Sequence, residues 1–406
     1  MGFGQGLSGL NAAAQQLDVI GNNIANSGTV GFKASTASFA DFYANSKVGM
    51  GVQVASINQR FTGGIISSTG NQFDMAIDGD KGLFRVQDPS GNILYTRNGQ
   101  FFADKDNYII NAQGQRLTGY GETGTDLGPI MVPVGNIAPQ ATTGVTTKTN
   151  LDANAPVIDP AAHPFDPTEA DSFTHSLPIS VYDSLGNAHQ LTQYFVKRES
   201  TTPGESSWEV YYRLNGNEIT SHPDSAPANL VFSSSGLLLS APPTETLTID
   251  NPGGTNSPAD DLTIALGYAG STQFGGPFSP NFTQTGYPTG EYAGMSIAKD
   301  GQIIANYTNG ETQPMGYIAL AAFNNLQGLQ PVGGNAWIET GASGGPVVGR
   351  PGTNGLATLQ GQSVEESNVD MSQELVNMII AQRTYQANAQ TIKTQDQVMQ
   401  TLISMR

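Results

Sequence analysis

The chain has 406 residues, 38% hydrophobic and 13% charged, with 49 Gly, 23 Pro and no Cys. That length allows two or three domains with ordinary cores, and the missing cysteines exclude disulfides, thiolate metal sites and a thiol nucleophile. The net charge of −17 comes without any cluster of Lys and Arg, which argues against nucleic-acid binding, and no run approaches the ~20 apolar residues of a membrane-spanning helix.

The charge is unevenly placed. Residues 1–32 carry one charged side chain, Asp18. In residues 370–406 the acids Asp370, Glu374 and Asp396 cancel Arg383, Lys393 and Arg406. Residues 147–285 hold 15 acids and 4 bases, a net of −11. Neutral ends can crowd together without self-repulsion, and an acidic middle suits a solvated outer surface. The first basic residue is Lys33 and no long apolar core follows Met1, so no cleavable leader is expected.

In chain order, residues 5–26 read as a helix with an apolar seam at Leu7, Leu10, Ala14, Leu17, Gly21 and Ile24, the alternating three-and-four spacing of a stripe offered to a partner helix. Gly6, Gly9 and Gly21 each cost it roughly 1 kcal/mol relative to Ala. Residues 34–75 read as an extended, irregular connector. From residue 76 the signals are those of β-structure. The stretch 88–92 (DPSGN) is a turn, and Asn98-Gly99 between strand candidates 93–97 and 100–103 predicts a tight hairpin. Residues 113–146 stay strand-like. Pro156, Pro160, Pro164 and Pro167 then mark a crossing. Hairpin candidates follow at 177–196, 208–214 and 230–249, with a strand at 261–266. After a second Pro- and Gly-rich stretch at 275–290, β-structure resumes over 291–323 with Asp300-Gly301 as another two-residue hairpin turn. Residues 341–355 are again rich in Gly and Pro.

The chain closes on a helix from Asp370 to about residue 403, with Gln373 at the capping-box position. Its expected seam is Met371, Leu375, Met378, Gln382, Tyr385, Ala389, Ile392, Asp396, Met399 and Ile403, with Gln382 and Asp396 as register-setting polar residues. The fold class is therefore mainly β with α-helical termini. The terminal helices (1–33 and 368–406) form a coiled-coil-like core segment. Connectors at 34–75 and 341–367 lead to an inner β-domain (76–146 and 286–340) into which an outer β-domain (147–285) is inserted. Neither helix can bury its stripe alone, so both seams are expected to face sister molecules and to fold on assembly.

Motifs of catalysis and metal binding fail in context. Gly4, Gly6 and Gly9 have the spacing of a dinucleotide fingerprint, but no strand precedes them. Gly341, Ser343 and Gly345 match a nucleophile elbow, but Pro346 follows where a helix is needed. His163, His175, His189 and His222 are not spaced as a metal pair, and the default for His163 and His222 is a surface position. Asp78 with Asp80, and Asp104 with Asp106, lack the remaining ligands of a calcium loop. No catalytic residue, metal site or cofactor is expected.

Residues 7–33, ending in Asn22, Asn23, Asn26, Gly31, Phe32 and Lys33, closely resemble the N-terminal signature of the bacterial flagellar axial rod and hook family. Residues 368–405 resemble its C-terminal signature, and residues 95–115 its β-motif. Met371 stands where Leu is the family's habit. The length, the insertion at 147–285 and the STQFG stretch at 271–275 favour the hook-type members over the shorter rod-type ones. The resemblance implies a homopolymer: a flexible curved tube, with the terminal helices inside, that passes torque from rod to filament. It implies export through the flagellar type III apparatus without a cleaved signal, and an extracellular location in the hook. The implied partners are the hook cap, the rod and the hook–filament junction proteins. A distal rod subunit is the second reading, and a hydrolase or a secreted β-rich adhesin are readings from other classes. The self-assembly residues expected on the two seams are Leu7, Leu10, Leu17, Ile24, Leu375, Met378, Tyr385, Ile392 and Met399.

Overall fold

A computed structural model describes residues 3–42, 49–122, 125–132, 135–239, 244–254 and 257–404; parts of the expected segments 1–33, 34–75, 76–146, 147–285 and 368–406, and of the hairpin candidate at 230–249, lie outside these. The chain divides into two compact units. One comprises Met1–Val134, Ala293–Asn306 and Thr312–Arg406; the other comprises Gly135–Tyr292 and Tyr307–Glu311. The second unit thus starts before and ends after the Pro-rich crossings.

In the first unit α1 spans Phe3–Ala25. The described part of the segment expected to be an irregular connector carries strands. Strands β1 (Ser35–Asp41) and β2 (Val52–Gln59) pair antiparallel, with a bulge between Ser38 and Phe39. The alternation of Val52, Val54 and Ile57 with polar residues supports this ladder, but most of its residues are partly exposed, which is why the apolar signal is faint. Strand β3 (Ile66–Ser68) pairs with Ser363–Glu365 and β4 (Met75–Asp78) with Thr358–Gly361. The second expected connector is therefore also strand, zipped onto the first.

The main sheet is built on β5 (Leu83–Gln87) and β6 (Ile93–Thr96), joined by the expected turn at 88–92. Its Asp88 Oδ1 accepts from the amides of Ser90 and Asn92 at 2.9 and 2.8 Å. The hairpin expected at Asn98-Gly99 is absent. β6 pairs instead with β5 and with Ala336–Ile338, while β7 (Phe102–Ala103) pairs with β8 (Ile109–Ile110). Gly99 is buried, and its carbonyl accepts from Met75 at 2.9 Å. A Cβ there would meet the Met75 carbonyl oxygen at 1.6 Å. Asn98-Gly99 is thus a close tertiary crossing, not a two-residue turn. β8 leads to β9 (Arg116–Tyr120), which pairs with β5 and Thr312–Ile318. At Asp300-Gly301 a hairpin turn does form, but with three residues in place of the expected two: the Ala298 amide donates to the Gln302 carbonyl at 2.9 Å, and Gly301, at φ +81°, donates its amide to the Ala298 carbonyl at 2.9 Å.

The second unit has two sheets over one core. One orders Thr244–Ile249, Leu262–Gly267, Gly144–Asn150 and Ser279–Gln284; the other orders His175–Tyr182, Ala188–Arg198 and Ser206–Leu214, with Ala228–Phe232 beside the last. Side chains alternate inward, as in Leu177, Ile179 and Val181, which is the period of a half-buried strand. Trp208, Phe195, Tyr212, Leu247, Ile264 and Tyr268 fill the core. His163 is exposed, but His222 is half-buried edge-on to Tyr212, a correction to its expected surface place.

Candidate assembly site on the terminal helices

The second helix, α2, runs Met371–Ser404, about 50 Å at 1.5 Å per residue. Asp370 caps it, its Oδ1 accepting from the Gln373 amide at 3.1 Å. The capping box stays open, because the Gln373 side chain donates forward to Asn377 Oδ1 at 3.1 Å.

α1 packs along α2 in the same chain, so the expectation that both seams face nothing of their own is corrected. The stripe that meets is made of small and polar residues. Gly6 is so close that a Cβ would lie 3.1 Å from Ile392 Cγ1, and one on Gly9 would lie 2.9 Å from the Asn388 side chain. The buried positions are Gly6, Ala12, Ala13, Ile20 and Asn23 on α1, with Glu374 and Ala381 on α2. Small residues let helix backbones approach, and Gly6 and Gly9 serve that approach, whereas Gly4 faces open space. β1 and β2 close the other side of α1, where Gln5 Nε2 donates to the Gly49 carbonyl at 2.5 Å. A cavity of about 460 Å3 remains where α1, α2, β1 and β2 meet, lined in part by Gln5, Ala13, Gln16, Phe39 and Thr384.

None of the expected seam residues is buried. Leu10, Leu17, Ile24, Met378 and Ile392 are half-buried, whereas Leu7, Leu375, Tyr385 and Met399 are exposed, as are Gln382 and Asp396. Two apolar clusters on α2 stand open to solvent. One is Leu375, Val376, Ile379 and Ile380; the other is Val398, Met399, Leu402 and Ile403, the last 73% exposed. Burying each large side chain is worth about 1.5–3 kcal/mol. A contiguous apolar exposure of this kind marks a protein-binding surface. The intrachain seam was missed in the sequence because the stripe was anchored on leucines; Gly6, Gly9, Ala13 and Ile20 carry the same three-and-four spacing on a neighbouring face.

The signature residues tie the helix ends to the β-structure. Asn23 Oδ1 accepts from the Ser35 amide at 2.9 Å, and its Nδ2 donates to the Ser35 carbonyl at 2.8 Å and to Glu374 Oε1 at 3.3 Å. Asn26 Nδ2 donates to Asn22 Oδ1 at 2.8 Å at the end of α1. Gly31 sits at φ +69°, where an added Cβ would lie 2.6 Å from the Arg97 carbonyl carbon. Its amide donates to the Glu365 carbonyl at 2.7 Å, and Phe32 is buried beside it.

Glu365 is the centre of a buried ion cluster that sequence reading missed. Its Oε1 receives Lys33 Nζ at 2.5 Å and its Oε2 receives Arg97 Nη1 at 2.9 Å, all three side chains at most 1% exposed. Gly64 adds an amide at 2.8 Å. Arg97 also donates to the carbonyls of Gly79 and Asp80 at 3.0 and 2.8 Å. Burial alone would push the Glu365 carboxyl up, but the charges of Arg97 and Lys33, together with the hydrogen bonds from Lys33 and the Gly64 amide, outweigh it and hold the group below its ordinary 4.5. Both carboxylate oxygens of Glu365 are thus paired with buried cations, and the cluster ties the chain together. Ser343 is likewise buried in a turn, donating to the Thr340 carbonyl at 2.9 Å. No group of three His, Cys, Asp or Glu able to hold a metal occurs among the described residues. None of the described helices is long and apolar enough to cross a membrane.

Four family models match. Residues 5–33 match Flagella basal body rod protein and residues 76–150 match Flagellar hook protein FlgE/F/G D1 domain. Residues 150–287 match Flagellar basal body protein FlaE D2 domain and residues 360–405 match Flagellar basal body rod FlgEFG protein C-terminal. Flagellar hook protein FlgE of Salmonella typhimurium is 43% identical over 416 residues, with all of both chains covered. The chain belongs to the flagellar hook protein family. Other hook proteins agree: that of Escherichia coli K12 is 42% identical with 100% of both chains covered. That of Borreliella burgdorferi is 32% identical over 99% of this chain and 98% of its own. The crystal structure of Helicobacter pylori flagellar hook protein FlgE2 shares the fold at a TM-score of 0.56 and 16% identity, covering 74% of this chain and 100% of that one. As a member of the hook protein family, the chain is a structural subunit of the flagellar hook, placed in the hook polymer and associated with the rod.

Proposed function

We propose that this hook subunit polymerises through the open faces of its terminal helices into a flexible curved tube that transmits torque from the rod to the filament. The observation that carries the reading is the pair of exposed apolar clusters on α2, Leu375 to Ile380 and Val398 to Ile403. A solitary chain leaves them in water, and a neighbouring copy would cover them. In this reading Leu7, Leu375, Tyr385 and Met399 meet sister subunits directly. Leu10, Leu17, Ile24, Met378 and Ile392 shape the groove between α1 and α2. Asn22, Asn23, Asn26, Gly31, Phe32 and Lys33 set the angle at which the helices leave the β-structure. The terminal segments 1–33 and 368–406 form the inner core of the polymer, and the inserted β-structure around 147–285 faces outward, where its acidic surface is solvated.

The chain is an assembly component and not an enzyme. It leaves the cell through the flagellar type III export apparatus without loss of a signal, grows under the hook cap, and joins the rod at one end and the hook–filament junction proteins at the other. Electron microscopy of concentrated wild-type protein should show curved tubes. Straight, stiff polymers would contradict the flexible, curved tube, and no polymer at all would sink the reading.

A further inference from the structure

The chain contains four Asn-Gly pairs, at Asn98, Asn215, Asn309 and Asn354. Such a pair is chemically labile, because a glycine next in line leaves its backbone nitrogen unshielded by any Cβ. Reaction requires a free side-chain amide and a free, accessible glycine nitrogen, and the fold withholds one or the other at three of the pairs. Asn98 Oδ1 accepts from the Gln100 amide at 3.0 Å, and Gly99 is buried against the Met75 carbonyl. Asn215 is held at both ends: Oδ1 by the Gln190 amide at 2.9 Å, Nδ2 on His189 Nδ1 at 3.0 Å. Asn309 Nδ2 donates to the Pro288 carbonyl at 2.8 Å and its Oδ1 accepts from Glu311 at 3.0 Å, while the Gly310 amide is spent on Tyr307 at 3.0 Å.

Asn354 differs in every respect. Both it and Gly355 are exposed, at φ +51° and +75°, the signs of a type I′ turn. A single hydrogen bond closes that turn, from the Leu356 amide to the Thr353 carbonyl at 2.8 Å. Among the described residues the Asn354 side chain and the Gly355 amide have no hydrogen-bond partner.

We propose that Asn354 is the site at which this protein ages chemically, by conversion to aspartate and isoaspartate. The Gly355 nitrogen attacks Asn354 Cγ. The new C–N bond closes a five-membered imide as the Cγ–Nδ2 bond breaks, and the glycine proton leaves with the amide as ammonia. Water then adds to one of the two imide carbonyls. Opening at one restores the ordinary main chain with an aspartate side chain; opening at the other gives isoaspartate, with one extra carbon in the main chain. No oxidant or enzyme is needed. Asn354 lines a surface cavity of about 410 Å3 together with Lys81, Phe323, Asn324 and Val347, so the product adds a negative charge to the wall of that cavity.

Incubating the full-length soluble protein at mildly alkaline pH, then mapping peptides by mass, tests this. The peptide spanning residue 354 should gain the mass of an amide-to-acid exchange and become a substrate for isoaspartyl methyltransferase. Its rate should exceed that at Asn98, Asn215 and Asn309 by about tenfold, the factor that one or two side-chain hydrogen bonds are worth. Asn354→Gln, whose ring closure is disfavoured by the extra methylene, should abolish the acidic species while leaving circular dichroism unchanged. Equal or faster conversion at any other pair overturns the proposal. So does an Asn354 that persists while a free peptide of the same sequence converts, or an acidic species that survives in Asn354→Gln.

Discussion

Glu365 joins four stretches of chain that are remote in sequence: the loop after α1 through Lys33, the segment before β3 through Gly64, the end of β6 through Arg97, and its own strand. Removing one member of a buried pair leaves the other charge uncompensated, at a cost of about 3–5 kcal/mol. Glu365→Gln should therefore unfold the first unit at lower denaturant, with a loss of that order, read from urea titration of near-ultraviolet dichroism. The pH dependence follows from the same contacts. Because the folded carboxyl sits below its ordinary 4.5, the unfolded chain takes up the proton first. Its stabilisation is complete above about 4.5 and drains away as pH falls through the lowered value. Acid titration should show wild-type stability converging on that of Glu365→Gln, and parallel curves would contradict the assignment. Gly31→Ala should also destabilise this junction, since the left-handed φ of +69° and the 2.6 Å approach to Arg97 leave no room for a methyl group. Lys33 and Gly31 were legible in the sequence only as members of a signature. Their reason lies in Glu365, some 330 residues away, and no local pattern announces a contact of that separation.

Among the elements, the helices divide their faces between two tasks. Gly6 and Gly9 let α1 approach Ile392 and Asn388 of α2, and the aliphatic residues of the two α2 clusters are left outside. Two substitutions separate those tasks. Leu375→Asp removes one exposed apolar side chain, forfeiting about 1.5–3 kcal/mol at each contact it would bury and adding the desolvation of a charge. It should abolish polymerisation in electron micrographs while leaving the monomer's dichroism and melting unchanged. Gly9→Val instead drives a branched side chain into Asn388, already 2.9 Å from a bare Cβ. It should lower the monomer's helical signal before any question of assembly arises. Helix positions were legible within about two residues, because a 3.6-residue period persists over 23 and 34 residues. The connectors were not. Strands of three and four residues, Ile66–Ser68 and Thr358–Gly361, are too short for alternation to register, and their partners lie about 280–300 residues away. Asn98-Gly99 misled for a related reason: its glycine answers a crossing by Met75, and local turn chemistry cannot distinguish the two uses.

For the whole molecule, the insertion in the middle of the chain was legible from its composition, but its edges were not, because prolines mark loops and not the last paired residue. Excising residues 147–285 would cut through a ladder, since Val145 pairs with Gln284 and Thr146 with Thr283. A cleaner excision removes residues 138–289. Ile137 and Gly290 already face each other across an isolated antiparallel bridge, each amide on the other's carbonyl at 2.9 and 3.4 Å, so a short glycine linker can join them without straining either side. The shortened chain keeps α1, α2, the Glu365 cluster and the main sheet, and loses the acidic unit with its Trp208 core. If the open faces of the terminal helices drive assembly, this chain should still polymerise. If contacts between the removed units set curvature, its tubes should be thinner and differ in curvature or stiffness from the wild type, which electron microscopy and bending analysis of single tubes would measure. A shortened chain that folds, shown by an intact near-ultraviolet spectrum, yet fails to polymerise would mean that the outer β-structure supplies indispensable contacts. The apolar clusters at Leu375 and Ile403 would then be insufficient on their own to hold the polymer together.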